Sequence, residues 1–239
     1  YMTAVIEEFV EKYQVDGDFG SEVSIKINAP QILERELDPS RKRKPFGNGF
    51  MFVCGGVSDS YQHFEKQYGL TRQTLELINR FGHPVHMLTK STLIERDLGL
   101  LKEINKKCGA VVSFSFSTVD DNLGRKLEPG VPPASSRLDT IRRFKDEGFF
   151  CGMYLMPTVP FLTDTPGMIE ASVAAAKDAG VDFICFSGMT LKEGRQKDYF
   201  LNFLSEEFPN LLKPVTEMYS NNNKWGSPPG AYAKSSGLV

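Results

Sequence analysis

Apolar positions along this chain switch between two periods, and each switch marks an element. Residues 3–13 set Val5, Ile6, Phe9 and Val10 on one face, as an amphipathic helix does. Asp16 to Gly20 reads as a turn. In residues 22–27, Val23, Ile25 and Ile27 alternate with polar neighbours, the pattern of a half-buried strand. Asn28 and Pro30 then open a helix through Leu33 to Leu37, proline fitting a first turn because it has no N–H to lose there. Phe50 to Val53 is a continuous apolar run, stopped by Gly55-Gly56 and followed by Ser58, Asp59 and Ser60. A buried strand that ends in paired glycines and a short polar loop is how an α/β protein offers groups to a ligand. The same pattern also serves a plain strand-to-helix turn.

From there the periods alternate regularly. Thr71 starts a helix carrying Leu75, Ile78 and Phe81, which Gly82 ends. Pro84 to Leu88 is a strand leading into Thr89-Lys90-Ser91. Thr92 with Glu95 forms a capping-box pair ahead of a helix bearing Leu93, Ile94, Leu98, Leu101 and Ile104. Residues 110–116 are the next strand, and 119–134 read as a long loop. Ser136 to Glu147 is a helix with Leu138, Ile141 and Phe144 on its stripe, followed by a strand at 150–156 that ends in Pro157. Thr165-Pro166 opens a helix with Ile169, Val173 and Ala176 inward, closed by Gly180. A strand at 182–187, a helix near 195–207 and an irregular tail with Trp225 complete the chain.

Strand, loop and helix thus recur in units of roughly 30 residues, the βαβ rhythm that implies parallel strands and right-handed crossovers. The strands from 84 onward are apolar almost throughout, as in sheets covered on both faces. At 239 residues the length suits one α/β barrel. The expected fold is α/β, a partial (β/α)6-type TIM-like barrel of parallel strands, with a flat doubly wound sheet as the alternative. One domain is expected over 1–239, with an N-terminal strand, helix and linker to 49, barrel units at 50–208 and a tail at 209–239.

A net charge of −2 gives no general attraction to nucleic acid or to an anionic membrane. Arg41 to Lys44 is a local basic run, of the kind found more often in solvated loops. No apolar stretch reaches the length of a membrane span. Cys54, Cys108, Cys151 and Cys185 show no C-x-x-C spacing and read as buried free thiols in a reducing, cytoplasmic compartment.

In a barrel, polar groups just past the strand C-termini converge on one mouth. Collecting them gives Ser58, Asp59, Thr89, Lys90, Ser91, Ser115, Ser117, Glu128, Pro157, Thr158, Ser187 and Gly188. Lys90 is placed to hold a carboxylate or phosphate, to act as a Schiff-base nucleophile, or to snorkel at the rim. His83 and His86 have metal-pair spacing but fall in a strand, where residues three apart face opposite ways. Tyr61 and Tyr68 flank His63 and read as a substrate wall or, more commonly, as packing.

The motifs themselves resemble a known family. VSDSY, LTRQTLELI and LTKSTLIERDLGLL, then FSFSTVDD, EPG, SSRLDTI, MPTVPFLTD, GMTLKEGRQKDYF and KWG, stand in the order and spacing of radical S-adenosylmethionine enzymes of the spore photoproduct lyase-like group. Each motif is short; the series covers almost the whole chain. The resemblance implies a 4Fe–4S cluster held by a C-x-x-x-C-x-x-C loop, S-adenosylmethionine on the open iron, and a 5′-deoxyadenosyl radical that abstracts a substrate hydrogen. No such loop occurs in this sequence. Tyr1-Met2-Thr3 is similar to the residues directly after the family's third cysteine, so the resemblance places the cluster loop and first strand upstream of Tyr1. The alternative is a relative without the cluster. On the first reading the chain is inactive without that loop.

By position, Ser58 and Lys90 resemble residues that contact the methionyl carboxylate, Ser115 a further contact, and Tyr1 a residue beside cluster and adenine. Asp59, Glu128 and Pro157 complete the expected cofactor-binding set. The resemblance also implies an electron donor such as a flavodoxin or ferredoxin. Spore photoproduct lyase carries a hydrogen-donating cysteine just before the SD loop, where this chain has Gly56 and Val57. That departure argues against thymine-dimer repair and leaves the substrate open. A barrel aldolase using Lys90 and a non-catalytic nucleic-acid-binding relative are the competing readings.

Overall fold

The structure, a computed structural model, describes residues 25–41, 49–54 and 59–228. Chain contacts divide the described residues into two compact units, a larger one within 27–189 and a smaller one that includes 190–228.

The larger unit begins with α1 (Ala29–Leu37), which has Asn28 at its N-cap and proline in its first turn, although the Asn28 side chain makes no capping bond. Strand β1 (Met51–Val53) leads through the loop at 59–64 to the single turn α2 (Glu65–Tyr68) and then α3 (Leu70–Phe81). Gly82 ends α3 at φ 73°, a left-handed position that glycine occupies without strain. Next come β2 (Val85–Thr89), a 3-10 segment at Thr92–Asp97, α4 (Leu98–Lys107) and β3 (Ala110–Phe116). The helices α5 (Asp121–Leu127) and α6 (Ala134–Asp146) precede β4 (Phe150–Thr158), and α7 (Pro166–Asp178) precedes β5 (Phe183–Gly188).

The five strands form one sheet in the order β1-β2-β3-β4-β5, every neighbour parallel. Sequential parallel pairing with right-handed crossovers sends all the helices to one face. On that face Val85, Met87, Val112, Phe114, Cys151 and Met153 form a single core with Leu75, Ile78, Leu101, Ile104, Leu138 and Ile141 of the helices. The fold is α/β, a partial TIM-like barrel.

The other face is not covered as the apolar strands suggest. It carries Phe50, Phe52, His86, Ser115, Phe150 and Tyr154, several of them exposed. His86 leans over β3, its Nε2 2.8 Å from Ser113 Oγ, and Phe183 leans over Gly152, where a Cβ would lie 2.2 Å from the ring. The His86 and Phe183 rings therefore meet edge-on at 6.2 Å, as they do on the concave side of a curling sheet. Gly152 is the one strand residue whose missing side chain this contact requires.

Four further expectations are corrected. Ser91, not Thr92, caps the 3-10 segment, its Oγ accepting from Leu93 N–H, while Glu95 reaches forward to Thr140 and Arg143. The loop expected over 119–134 contains α5, whose N-cap Asp120 accepts from Asn122 and Leu123 N–H. Val173 of α7 is exposed, and Ser172 and Ala176 are the buried positions. Residues 25–27, expected to end a strand, form none, and Ile27 is exposed. The expected helix at 3–13 lies outside the described residues.

In the smaller unit, α8 (Arg195–Glu207) agrees with expectation, whereas α9 (Pro209–Met218) falls in the stretch read as irregular tail. The loop beyond is fastened back by Leu191 N–H to Gly226 O at 2.8 Å and by the Asn222 side chain to Leu191 O at 2.6 Å.

Candidate functional site

At the C-terminal ends of β2 and β3 the chain gathers charge where strand ends leave backbone groups free. Asp59 is the clasp of this region. Its Oδ1 accepts from Thr89 Oγ1 at 2.6 Å and Tyr61 N–H at 2.8 Å, and its Oδ2 accepts from Lys90 N–H at 2.6 Å. One carboxylate thereby ties the loop after β1 to the end of β2, and both its oxygens are engaged by the wall itself.

Lys90, a third exposed, donates from Nζ to Glu128 Oε1 at 2.6 Å. That oxygen also accepts from Ser117 Oγ at 2.8 Å, and Oε2 accepts from Arg137 Nη2 at 2.9 Å. Arg137, 1% exposed, donates its other terminal nitrogen to Ser115 O and lies over the Phe116 ring at 4.7 Å. Its Nε has no partner among the described residues. Burial pushes the Glu128 carboxyl up, but the charges of Lys90 and Arg137 more than reverse this and hold it below its ordinary value. Two cations share one buried carboxylate. The Ser115 hydroxyl donates to Met156 O at 3.0 Å, beside Pro157, and Thr158 Oγ1 donates to Ser187 O at 3.2 Å.

Asp59, Lys90, Ser117 and Glu128 are thus brought together, with Ser115 joined to them through Arg137. Tyr1, Ser58, Gly56, Val57 and the run 42–44 lie outside the described residues. Arg41 is described and pairs with Glu36. Arg137 is the residue that reading the sequence missed. Its signal was available: it sits three residues after Ala134 and four before Ile141, on the apolar stripe of α6, where an arginine needs a buried partner.

A second buried network fixes the loop that follows Asp59. Tyr61, 2% exposed, is anchored by donating to Asp97 Oδ2 at 3.1 Å and also contributes to the lining of the pocket between the two networks. Asp97 also accepts from Arg72 at 2.8 Å and from Arg96 at 2.7 Å; burial raises its carboxyl, and these partners bring it below the ordinary value. Glu65 accepts from Thr71 N–H at 2.9 Å and Arg96 Nη2 at 2.8 Å, satisfying a free amide at the start of α3.

Between these networks lies a pocket of about 410 Å³. Asp59, Tyr61, His63, Lys66, Lys90 and Ser91 line it, with Thr92, Leu93 and residues 130–132.

Deeper on the concave face, burial lowers His86, and it raises the Tyr154 phenol, whose hydroxyl shares a hydrogen bond with Cys185 near Cys54. His83 does not join His86; its carbonyl accepts from Cys108 Sγ at 3.0 Å. Among the described residues no group of His, Cys, Asp and Glu is placed to hold a metal ion, and no helix is long and apolar enough to cross a membrane. The four cysteines are unpaired, and burial pushes Cys151 up to about 12.

No family model matches the chain. An uncharacterized protein of Mycobacterium tuberculosis is 29% identical over 202 residues, covering 84% of this chain and 58% of the relative. The chain therefore spans little more than half the length of that protein. An uncharacterized protein of Methanocaldococcus jannaschii is 27% identical over 208 residues, covering 87% of this chain and 72% of the other. Among solved structures, a doubly substituted spore photoproduct lyase with bound AdoMet and dinucleoside spore photoproduct superposes with a TM-score of 0.51 at 15% identity, over 69% of this chain and 47% of that one. A singly substituted form of that lyase with dinucleoside spore photoproduct gives the same TM-score over 77% of this chain and 50% of the other. At that identity the likeness is one of fold, and it agrees with the partial barrel of parallel strands described above.

Proposed function

We propose that this chain is the S-adenosylmethionine-binding barrel of a radical S-adenosylmethionine enzyme of the spore photoproduct lyase-like kind. The observation that carries the reading is Lys90, fixed at the mouth of a parallel partial barrel by a buried carboxylate that Arg137 and Ser117 also hold. S-adenosylmethionine carries a carboxylate and a ribose, and a lysine beside hydroxyl groups suits both. Bound next to a reduced 4Fe–4S cluster that donates one electron to its sulfonium, the cofactor would supply a hydrogen-abstracting carbon radical, with methionine released. The chain's own residues bind it, orient it and keep water away.

In this reading Lys90 takes the methionyl carboxylate, with Ser115, Pro157 and, from the expectation by position, Ser58 and Tyr1 around it. Asp59 and Glu128 act through Lys90. The first fixes its backbone N–H and the second its ammonium, so neither offers a free oxygen to the cofactor. A 4Fe–4S cluster does not fit the described residues. Cys54, Cys108, Cys151 and Cys185 lie on separate elements, and no metal-binding group forms. The proposal for this chain is accordingly cofactor binding, with hydrogen abstraction a property of a protein that also carries the cluster loop. The ion pair between Lys90 and Glu128 favours an anion-holding lysine over a Schiff-base nucleophile, which needs a free amine.

Calorimetric titration of the chain with S-adenosylmethionine tests the reading. Saturable binding is expected, weakened roughly 10- to 100-fold in Lys90→Ala, the size of a hydrogen bond to a charged group. Absence of binding at millimolar cofactor would overturn it.

A further inference from the structure

We propose that the pocket beside Lys90 is a second binding site, for the oxyanion group (phosphate or carboxylate) of a ligand other than S-adenosylmethionine, held by Lys66 with His63 beside it. Three observations support this.

The first is charge. Asp59 is the one carboxylate among the lining residues, and its two oxygens already accept from Thr89, Tyr61 and Lys90 backbone or side-chain donors. Glu128 does not line the pocket; it is buried beneath, between Lys90, Ser117 and Arg137. Of the two lysines on the pocket, Lys90 is therefore paired with Glu128 from beneath, while Lys66 faces the space with its charge uncompensated by an ion-pair partner. Among the described residues none forms an ion pair with Lys66. A lysine left without an ion-pair partner on a concave wall raises the local concentration of anions.

The second is rigidity. Lys66 projects from the residue next to Glu65, whose carboxylate is locked to Thr71 N–H and Arg96, and His63 follows Tyr61, which is anchored to Asp97. A cation held on such a backbone loses less freedom on binding than one on a loose loop, so more of its attraction appears as affinity.

The third is the rest of the lining. It includes Gly130, Val131 and Pro132, with Gly130 at φ +79° and Val131 N–H bonded to Glu128 O at 3.2 Å. This stretch brings no charge. Ser91 and Thr92, which follow Lys90 in the chain, also line the pocket. At about 410 Å³ the pocket takes a small anionic group with part of the molecule that bears it.

Assigning this anion to the enzyme's substrate rests on the radical reading above; the binding itself does not. The experiment uses the chain as it stands, titrated with inorganic pyrophosphate and, separately, with succinate, to distinguish a phosphate from a carboxylate source. Saturable binding of at least one probe is expected. Lys66→Glu should weaken it at least 10-fold while S-adenosylmethionine affinity and the circular dichroism melt stay as in the unaltered chain. His63→Ala should weaken the probe to a smaller degree, and Lys90→Ala should weaken probe and cofactor together. Binding should also fall with added salt. Failure of both probes to bind, retention of full affinity in Lys66→Glu, or displacement of the probe by S-adenosylmethionine would each overturn the proposal. Probe binding in a chain that does not bind S-adenosylmethionine would keep the anion site and remove only its assignment to a radical enzyme's substrate.

Discussion

Arg137 shows how one side chain sets the character of the mouth. A guanidinium buried in α6 costs several kcal/mol of desolvation, and it is tolerated because Glu128, the Ser115 carbonyl and the Phe116 ring all face it. Removing it leaves Glu128 buried with less compensation. Arg137→Ala is expected to lower stability by about 3–5 kcal/mol in urea unfolding, and Arg137→Met with Glu128→Leu by clearly less than the sum of the single changes. The pH response follows from Glu128 and Asp97, both held below their ordinary values in the fold. Carboxyls shifted down contribute their full stability above the unfolded value, and that contribution is lost as pH falls through the folded value. Urea midpoints should therefore hold from pH 7 to about 5 and drop below about 4, with a shallower acid drop in Glu128→Gln.

At the scale of elements, the chain's turns are closed by residues other than those its local motifs nominate. T-x-x-E at 92–95 has the form of a capping box, yet Thr92 lies inside the 3-10 segment and Ser91 makes the capping bond. Glu95 is drawn away because Thr140 Oγ1 and Arg143 of α6 offer it better donors. Ser91→Ala should cost about 1 kcal/mol in thermal or urea unfolding, and Thr92→Ala under half of that. Glu65 is another case: a carboxylate distant by six residues satisfies the first amides of α3. Local pattern located these helices; which side chain finishes each one depends on neighbours brought in by the crossovers.

For the whole molecule, the asymmetry of the sheet is the governing fact. Helices bury one face of β2, β3 and β4, leaving Phe186 of β5 exposed, and the concave face keeps its half-exposed aromatic rings and the polar mouth. Truncations on the two faces should differ accordingly. Phe114→Ala, at a fully buried position, should cost about 3–5 kcal/mol, whereas Phe52→Ala, 46% exposed, should cost under about 1. Equal losses from the two in urea unfolding would contradict the open concave face.

The helices Leu70–Phe81, Ala134–Asp146 and Arg195–Glu207 and the strands at 85–89, 110–116 and 183–188 were legible within a residue or two, because apolar periodicity reports which face of an element is buried. The βαβ rhythm likewise determined the parallel sheet, and strand-end position picked out Asp59, Lys90, Ser117 and Glu128. Periodicity is silent on short polar segments such as Asp121–Leu127, where a cap and not a stripe makes the helix. It is equally silent on partners. That Asp59 spends both oxygens on the wall, that Glu128 is shared between Lys90 and Arg137, and that Lys66 is left to face a pocket were decided only by tertiary structure. Hydrogen bonds and ion pairs join residues up to 41 positions apart in this site, and no local pattern records which distant donor will reach a given carboxylate first.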